Sequence, residues 1–379
     1  VLETIALISL GSLLAVWVIY PLVMSALASI AAPKSQRSDP ADIRVPTVSV
    51  VIATRDDAAA VQRRVGDCAR YSYGAAKLEV VVAIDRRARK KTLEEVTRLV
   101  GGCTVVIGDE PGGKSATLNA AVNAARGEVL VFTDTHQRFE PDAIDHLVAA
   151  LADPRVGASS GSLDLGSGEG GRTLADRYWS YERTLRRNES LVHSSVGVSG
   201  AIWALRRSLW TPLPENLILD DVYTPMRVVL QGRRVAFSAR ARAHETRRPS
   251  IGQEYRRKVR TLTGVIQLCA WLPKVLLPLR NPIWPQFVFH KLLRLLTPYW
   301  VLAILVWGVA LGGRWLLEHP LAALGVALLV PAVVYDYRRS PRSLARRAYG
   351  TAVSFLLLQA AVVVAAANGV RRQWDVWRA

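Results

Sequence analysis

The sequence predicts an α/β domain with a Rossmann-like, mostly parallel sheet, joined to transmembrane α-helices. Three observations carry this. Short apolar runs at 45–52, 78–84, 103–107 and 129–133 alternate with segments of helical period, the pattern of a parallel sheet covered on both faces. Two of these runs end abruptly at an acid, Asp85 and Asp134, at the strand edge where α/β proteins place ligands. Long, nearly uncharged stretches flank the region, and the first, 5–31, is long enough to span a bilayer. A chain of 379 residues has room for one large soluble domain and a membrane part.

In order, residues 1–33 read as an N-terminal transmembrane helix. A cleaved signal peptide fits poorly, because the apolar run is long and no basic stretch precedes it. The soluble domain, 45–260, opens with the strand Val45–Ile52, which ends at Ala53, Thr54, Arg55 and Asp56; a helical pattern follows to about Tyr71. Leu78–Ile84 is the second strand, Thr92–Val100 a helix, Cys103–Ile107 the third strand and Ser115–Ala125 a helix before the strand at 129. No internal repeat is visible, and the Gly-rich run 166–171 reads as a loop. Residues 261–290 mix apolar positions with Trp271, Pro273 and Lys274, the composition of an amphipathic segment lying along a membrane interface. Within 291–379, the runs 295–312, 320–335 and 349–369 supply about three C-terminal spans.

A net charge of +18 would point to nucleic acid in a soluble protein. Here Arg and Lys crowd the flanks of the apolar runs, as at Lys34, Arg37 and Arg44, at Lys291 and Arg294, and from Arg338 to Arg347. This is the positive-inside pattern with attraction to anionic lipid, so membrane lipids rather than nucleic acid are the expected partners. It places 45–260 on the cytoplasmic side of a plasma membrane, the inner membrane of a bacterium, with the N-terminus outside. Four spans would then leave Arg371 and Arg372 outside against their charge; an interfacial or re-entrant segment would repair the parity. Cys68, Cys103 and Cys269 are scattered and show neither disulfide nor metal spacing. No feature of the sequence indicates the oligomeric state.

Gly108–Ser115 matches the phosphate-loop pattern G-x-x-x-x-G-K-S, between a strand and a helix. An NTPase reading follows, with Lys114 on the phosphates and the strand ending at Asp134 holding Mg²⁺. Against it, Pro111 removes an N–H from a loop that works by pointing N–H groups at phosphate. The loop also follows the third strand rather than opening the domain, and the acids after residue 200 would have no role.

The ordered set of motifs resembles the membrane-bound glycosyltransferases of family 2, the group that contains the cellulose, chitin and hyaluronan synthases. The resemblance covers most of residues 45–300. It implies a GT-A-like fold in which Asp85 contacts the nucleobase or ribose, Gly113 and Lys114 with Leu118 and Asn119 line the donor nucleotide, and Thr54 joins them. It implies that Asp134, in Asp134-Thr135-His136, stands for the first acid of a D-x-D motif that binds metal and diphosphate. His136 replaces the second acid, which weakens a requirement for Mg²⁺ or Mn²⁺ without removing it; imidazole suits the softer Mn²⁺, and Mg²⁺ keeps several waters beside a single carboxylate. Gln253 and Arg256 match Gln-x-x-Arg-Trp, but Arg257 replaces the Trp that in processive synthases lies against the growing polymer. Arg256 and Arg257 suit a donor diphosphate; anionic lipid head groups are the competing partner.

The acceptor half begins near Asp164. By the same resemblance it includes Trp179, Gly200, Asp220 and Gln253. Trp179 lies in an amphipathic helical pattern whose aromatic groups could stack on a sugar or pack a core. Gly200 lies in a small-residue turn that lets a backbone approach a ligand closely. Asp220 and Asp221 on their own could be a helix N-cap and a second acid favouring the helix dipole. The resemblance makes Asp221 the general base, removing the acceptor hydroxyl proton as it attacks the anomeric carbon. Since no Asp or Glu stands out as a covalent nucleophile, a single inverting displacement is expected.

The expected enzyme transfers a hexosyl or N-acetylhexosaminyl group from a nucleotide sugar, UDP-linked, to a lipid-linked or saccharide acceptor at the membrane, in surface polysaccharide or glycolipid synthesis. Two alternatives stand beside the NTPase: a processive synthase that exports its polymer, and a degenerate scaffold that binds without catalysis.

Overall fold

The computed structural model describes residues 1–31, 45–164, 174–245, 251–339 and 343–375; the run 166–171 lies outside them. Two compact units emerge. One includes Leu22–Pro249 and Gln267–Val288, and the other Val1–Pro21, Ser250–Ile266 and Phe289–Gln373.

The first unit is built on a single eight-stranded sheet. Its strands are β1 (Val48–Thr54), β2 (Leu78–Ile84), β3 (Thr104–Ile107), β4 (Val129–Thr133), β5 (Gln137–Phe139), β6 (Val156–Asp164), β7 (Trp203–Arg206) and β8 (Arg234–Glu245). Their order is β3-β2-β1-β4-β7-β6-β8-β5. β1 runs parallel to β2 and β4, with Val50 opposite Val80 and Val131, and β2 runs parallel to β3. The Val and Ile runs that read as buried strands are so because helices cover both faces, leaving no solvent side to demand polar alternation. All five residues of β4 are buried.

The second half of the sheet departs from this simple pattern. β7 is antiparallel to β4 and β6, while β6 runs parallel to β8 with breaks in register between Val156 and Ala158 and between Ser160 and Ser162. β5, only three residues long, is antiparallel to β8. Phe132 on β4 stacks against Trp203 on β7, with ring centroids 4.2 Å apart, and seals the joint between the halves.

After β1 the chain goes to β2 and β3 on one side and returns as β4 on the other. The C-terminal ends of β1 and β4 therefore form the topological switch point, the crevice where open α/β sheets bind ligands.

Among the described residues, three helices are long and apolar enough to cross a membrane: Leu2–Ala31, Trp284–Glu318 and Ala348–Val370. Pro320–Arg339 forms a helix between the second and third of them. Inside the second unit, Trp17 Nε1 donates to Thr297 Oγ1 (3.2 Å), and the Arg294 guanidinium sits 4.5 Å from a Trp17 ring centroid. The helix Ile251–Trp271 passes unbroken through residue 260, the expected end of the soluble domain. Residues 261–290 are thus not one amphipathic element: the tail of that helix leads to a 3₁₀ turn at Pro273–Leu276.

Candidate active site

The parallel strands deliver their C-terminal residues to one edge. At the switch point, Thr135 Oγ1 donates to Thr54 Oγ1 (2.8 Å), which also accepts the Asp56 N–H (2.9 Å). His136 Nε2 lies 3.1 Å from Asp56 Oδ2. The turn after β4 is thereby stitched to the end of β1, and Asp134 is held between them, partly exposed. Beneath it the buried Arg64 donates to Thr133 Oγ1 (3.1 Å), with its guanidinium 4.8 Å from the centroid of the Phe139 ring.

Asp85 follows directly on β2 and is buried. Its Oδ1 accepts the N–H groups of Gly113 and Arg87, each at 2.9 Å. Its Oδ2 accepts Arg55 Nε and lies beside Arg55 Nη2, both at 2.5 Å. Burial alone would push this carboxyl up, but the bonds from Gly113, Arg87 and Arg55 outweigh it and hold the group below its ordinary value.

The turn between β3 and the helix Lys114–Ala124 needs its glycines. Gly112 and Gly113 have φ of +83° and +93°, and a Cβ on Gly112 would come within 2.8 Å of Arg87 Cγ and 3.0 Å of Asp85 Oδ1. The N–H groups of Gly108, Gly112 and Gly113 go to Ile84 O, Asp109 O and Asp85 Oδ1. Pro111 contributes none, and these three N–H groups of the turn are already engaged within the protein rather than open to a phosphate.

Lys114 opens that helix and points at the acid pair: its Nζ is 2.9 Å from Asp220 Oδ1. Burial would lower the ammonium's pKa, but Asp220, Asp134 and Asp221 raise it well above the usual lysine value, so it stays charged. Asp220 and Asp221 occupy the first turn of the helix Asp220–Leu230, where its dipole favours negative charge. Asp221 packs on Gly200, where a Cβ would stand 3.1 Å from its Oδ2. The Val198 N–H donates to the Asp221 carbonyl (2.9 Å), and Ile202 N–H closes the turn onto Ser199 O (3.0 Å) just before β7. Lys114, Asp134, Asp220, Asp221 and Gly200 therefore converge, drawn from both halves of the sheet.

Other expected residues take different places. Asn119 grips the backbone of Leu213, donating to its carbonyl (2.9 Å) and accepting its N–H (2.8 Å). Trp179 is half-buried on the helix Leu174–Val192, edge-on to Tyr178. Gln253, Arg256 and Arg257 stand near the start of the helix Ile251–Trp271, where Arg257 Nη2 lies 3.9 Å from Glu254 Oε1. Arg55, Asp56 and Arg87 were not anticipated. The one signal that could have found them is their position just after a strand end.

No group of three or more His, Cys, Asp and Glu side chains among the described residues is placed to cage a metal. The donor set instead fits a hard cation that takes one carboxylate, Asp134, and completes its shell with diphosphate oxygens and water. His136 directs Nε2 toward Asp56.

Parallel strands whose C-terminal ends carry acids, a basic side chain among three acids and a second half of mixed strand direction are the features of a GT-A-type fold. Residues 49–211 match the family model "Glycosyl transferase family 2". Glycosyltransferase AglE of Haloferax volcanii is 24% identical over 230 residues, covering 59% of this chain and 74% of that protein. Mannosyltransferase PcManGT from Pyrobaculum calidifontis, solved in complex with GDP-Man and Mn²⁺, superposes with a TM-score of 0.67 at 23% identity, over 98% of this chain and 99% of that one. This last likeness establishes the fold.

Proposed function

We propose that the protein transfers one sugar, with inversion, from a nucleotide sugar to a membrane-associated lipid-linked or saccharide acceptor. The observation that carries this reading is the Lys114 ammonium held among Asp220, Asp134 and Asp221 beside Gly200. The acceptor hydroxyl oxygen bonds to the anomeric carbon as the bond to the diphosphate oxygen breaks; Asp221 takes the hydroxyl proton, and the nucleoside diphosphate leaves with the electron pair. Lys114 meets the charge growing on that leaving group, a pre-placed charge that need not reorganise during the reaction. A divalent cation on Asp134 would add to this neutralisation when bound. Asp220 fixes Lys114, and Gly200 leaves room for Asp221 beside the acceptor.

Sequence resemblance favours a UDP-linked donor, and PcManGT was solved with GDP-Man and Mn²⁺; both donor classes belong in the first assay. The parts given to Arg256, Arg257, Trp179 and Gln253 rest on the sequence resemblance alone. Arg257 in place of the polymer-contacting Trp favours single addition over processive synthesis. We place the 45–260 domain on the cytoplasmic side, from the basic flanks of the apolar helices.

Purified protein screened against UDP- and GDP-sugars, with Mg²⁺, Mn²⁺ or chelator, should release nucleoside diphosphate from one donor and yield a product one sugar longer than the acceptor. A long product ladder would overturn single addition. ATP hydrolysis that disappears in Lys114→Ala, with no response to any nucleotide sugar, would overturn the transferase.

A further inference from the structure

The carboxylate of Asp85 has no lone pair left for a donor nucleotide. A carboxylate offers about four acceptor positions, and here two N–H groups fill Oδ1 while the Nε and Nη2 side of Arg55 fills Oδ2. The group is also sealed: its side chain is 4% exposed, and Gly112 packs against Oδ1 so closely that a Cβ there would stand 3.0 Å away.

Arg55 is the reverse. Its side chain is 53% exposed at the end of β1, beside the switch point, and among the described residues its Nη1 has no hydrogen-bond partner. One edge of the guanidinium is fixed by Asp85, so the other presents its remaining N–H donors in one orientation. A fork held this way loses little rotamer freedom when it meets a ligand, unlike an ordinary surface arginine.

We infer that Arg55, positioned by Asp85, is the residue that meets the nucleobase of the donor, binding carbonyl or ring-nitrogen acceptors on the base. Asp85 acts through it as a positioning residue. This deepens the transferase reading and rests on it. Lys114, by contrast, serves the diphosphate end. The base edge must offer acceptors to Arg55, and because uracil and guanine place theirs differently, this arginine sets the preference between them.

The test uses the full-length protein in detergent and measures binding of UDP, GDP and inorganic diphosphate. Arg55→Ala should weaken the preferred nucleoside diphosphate about 10–100-fold, narrow the UDP-to-GDP ratio and leave inorganic diphosphate unchanged. Arg55→Lys should not restore the ratio, because it keeps the charge and loses the fork. Asp85→Asn should act in the same direction, and the double variant should be no worse than Arg55→Ala. If Asp85→Asn does not fold, the Arg55 variants decide alone.

Unchanged nucleotide binding in Arg55→Ala overturns the inference, as does a parallel loss of inorganic diphosphate, which would make Arg55 a phosphate contact. Equal losses for UDP and GDP would put the contact on the ribose and overturn the base assignment. Additive losses in the double variant would return the contact to Asp85. Wild-type protein that binds neither nucleotide overturns the transferase reading itself, an outcome distinct from all of these.

Discussion

At the scale of single residues, the proposed transfer needs some groups for its chemistry and others to hold them. Gly200→Ala adds a Cβ 3.1 Å from Asp221 Oδ2, so one of the two must yield. With the base displaced and the donor side untouched, kcat should fall about tenfold or more while donor affinity stays level, since small misplacements of a reacting group are costly. Lys114→Ala should weaken nucleoside diphosphate binding and lower kcat by about 10²–10³, the range for losing one pre-placed electrostatic stabiliser. Asp85 gives a pH prediction. Its folded-state pKa is depressed, so its stabilisation is present above the ordinary Asp value and is lost as pH falls through the folded value. Thermal melts below about pH 4 should therefore drop more steeply for wild type than for Asp85→Asn. Much of this site was legible in the chain. Asp85, Lys114, Asp134 and Asp221 come in a fixed order of strand ends and helix starts, and local chemistry marks each one. The pairs Arg55–Asp85 and Asp56–His136 were not legible, because each joins the end of one strand to that of a neighbour, and only the register brings them together.

At the scale of elements, Asn119 acts as a clamp. It links the helix that begins with Lys114 to the segment leading into the helix that begins with Asp220. Asn119→Ala leaves both Leu213 backbone groups without these partners and should cost about 1–3 kcal/mol of stability, read as a lower melting temperature. If the clamp aligns the two helix starts, activity should fall before the protein unfolds. The parallel half of the sheet was legible because its strands are uninterrupted Val- and Ile-rich runs. β5 and β7 were not: Gln137–Phe139 and Trp203–Arg206 are short and carry no Val or Ile run to mark them as strands. The helix Ile251–Trp271 shows a related limit: its basic start and apolar end suggest a boundary, while its backbone carries on through it.

At the scale of the whole molecule, the chain couples a GT-A domain to apolar helices. The three long helices should keep it in the membrane fraction through an alkaline carbonate wash; release into the supernatant would contradict a spanning assignment. The proposed transfer turns on one proton, taken by Asp221 from an acceptor hydroxyl. The direct measurement is nucleoside diphosphate release from the preferred donor, in the presence of acceptor, by wild type and Asp221→Asn, with donor binding measured on both. If Asp221 is the general base, Asp221→Asn should bind donor within about twofold of wild type while release falls by about 10²–10⁴, the contribution of a general base. Release at the wild-type rate by Asp221→Asn would contradict it.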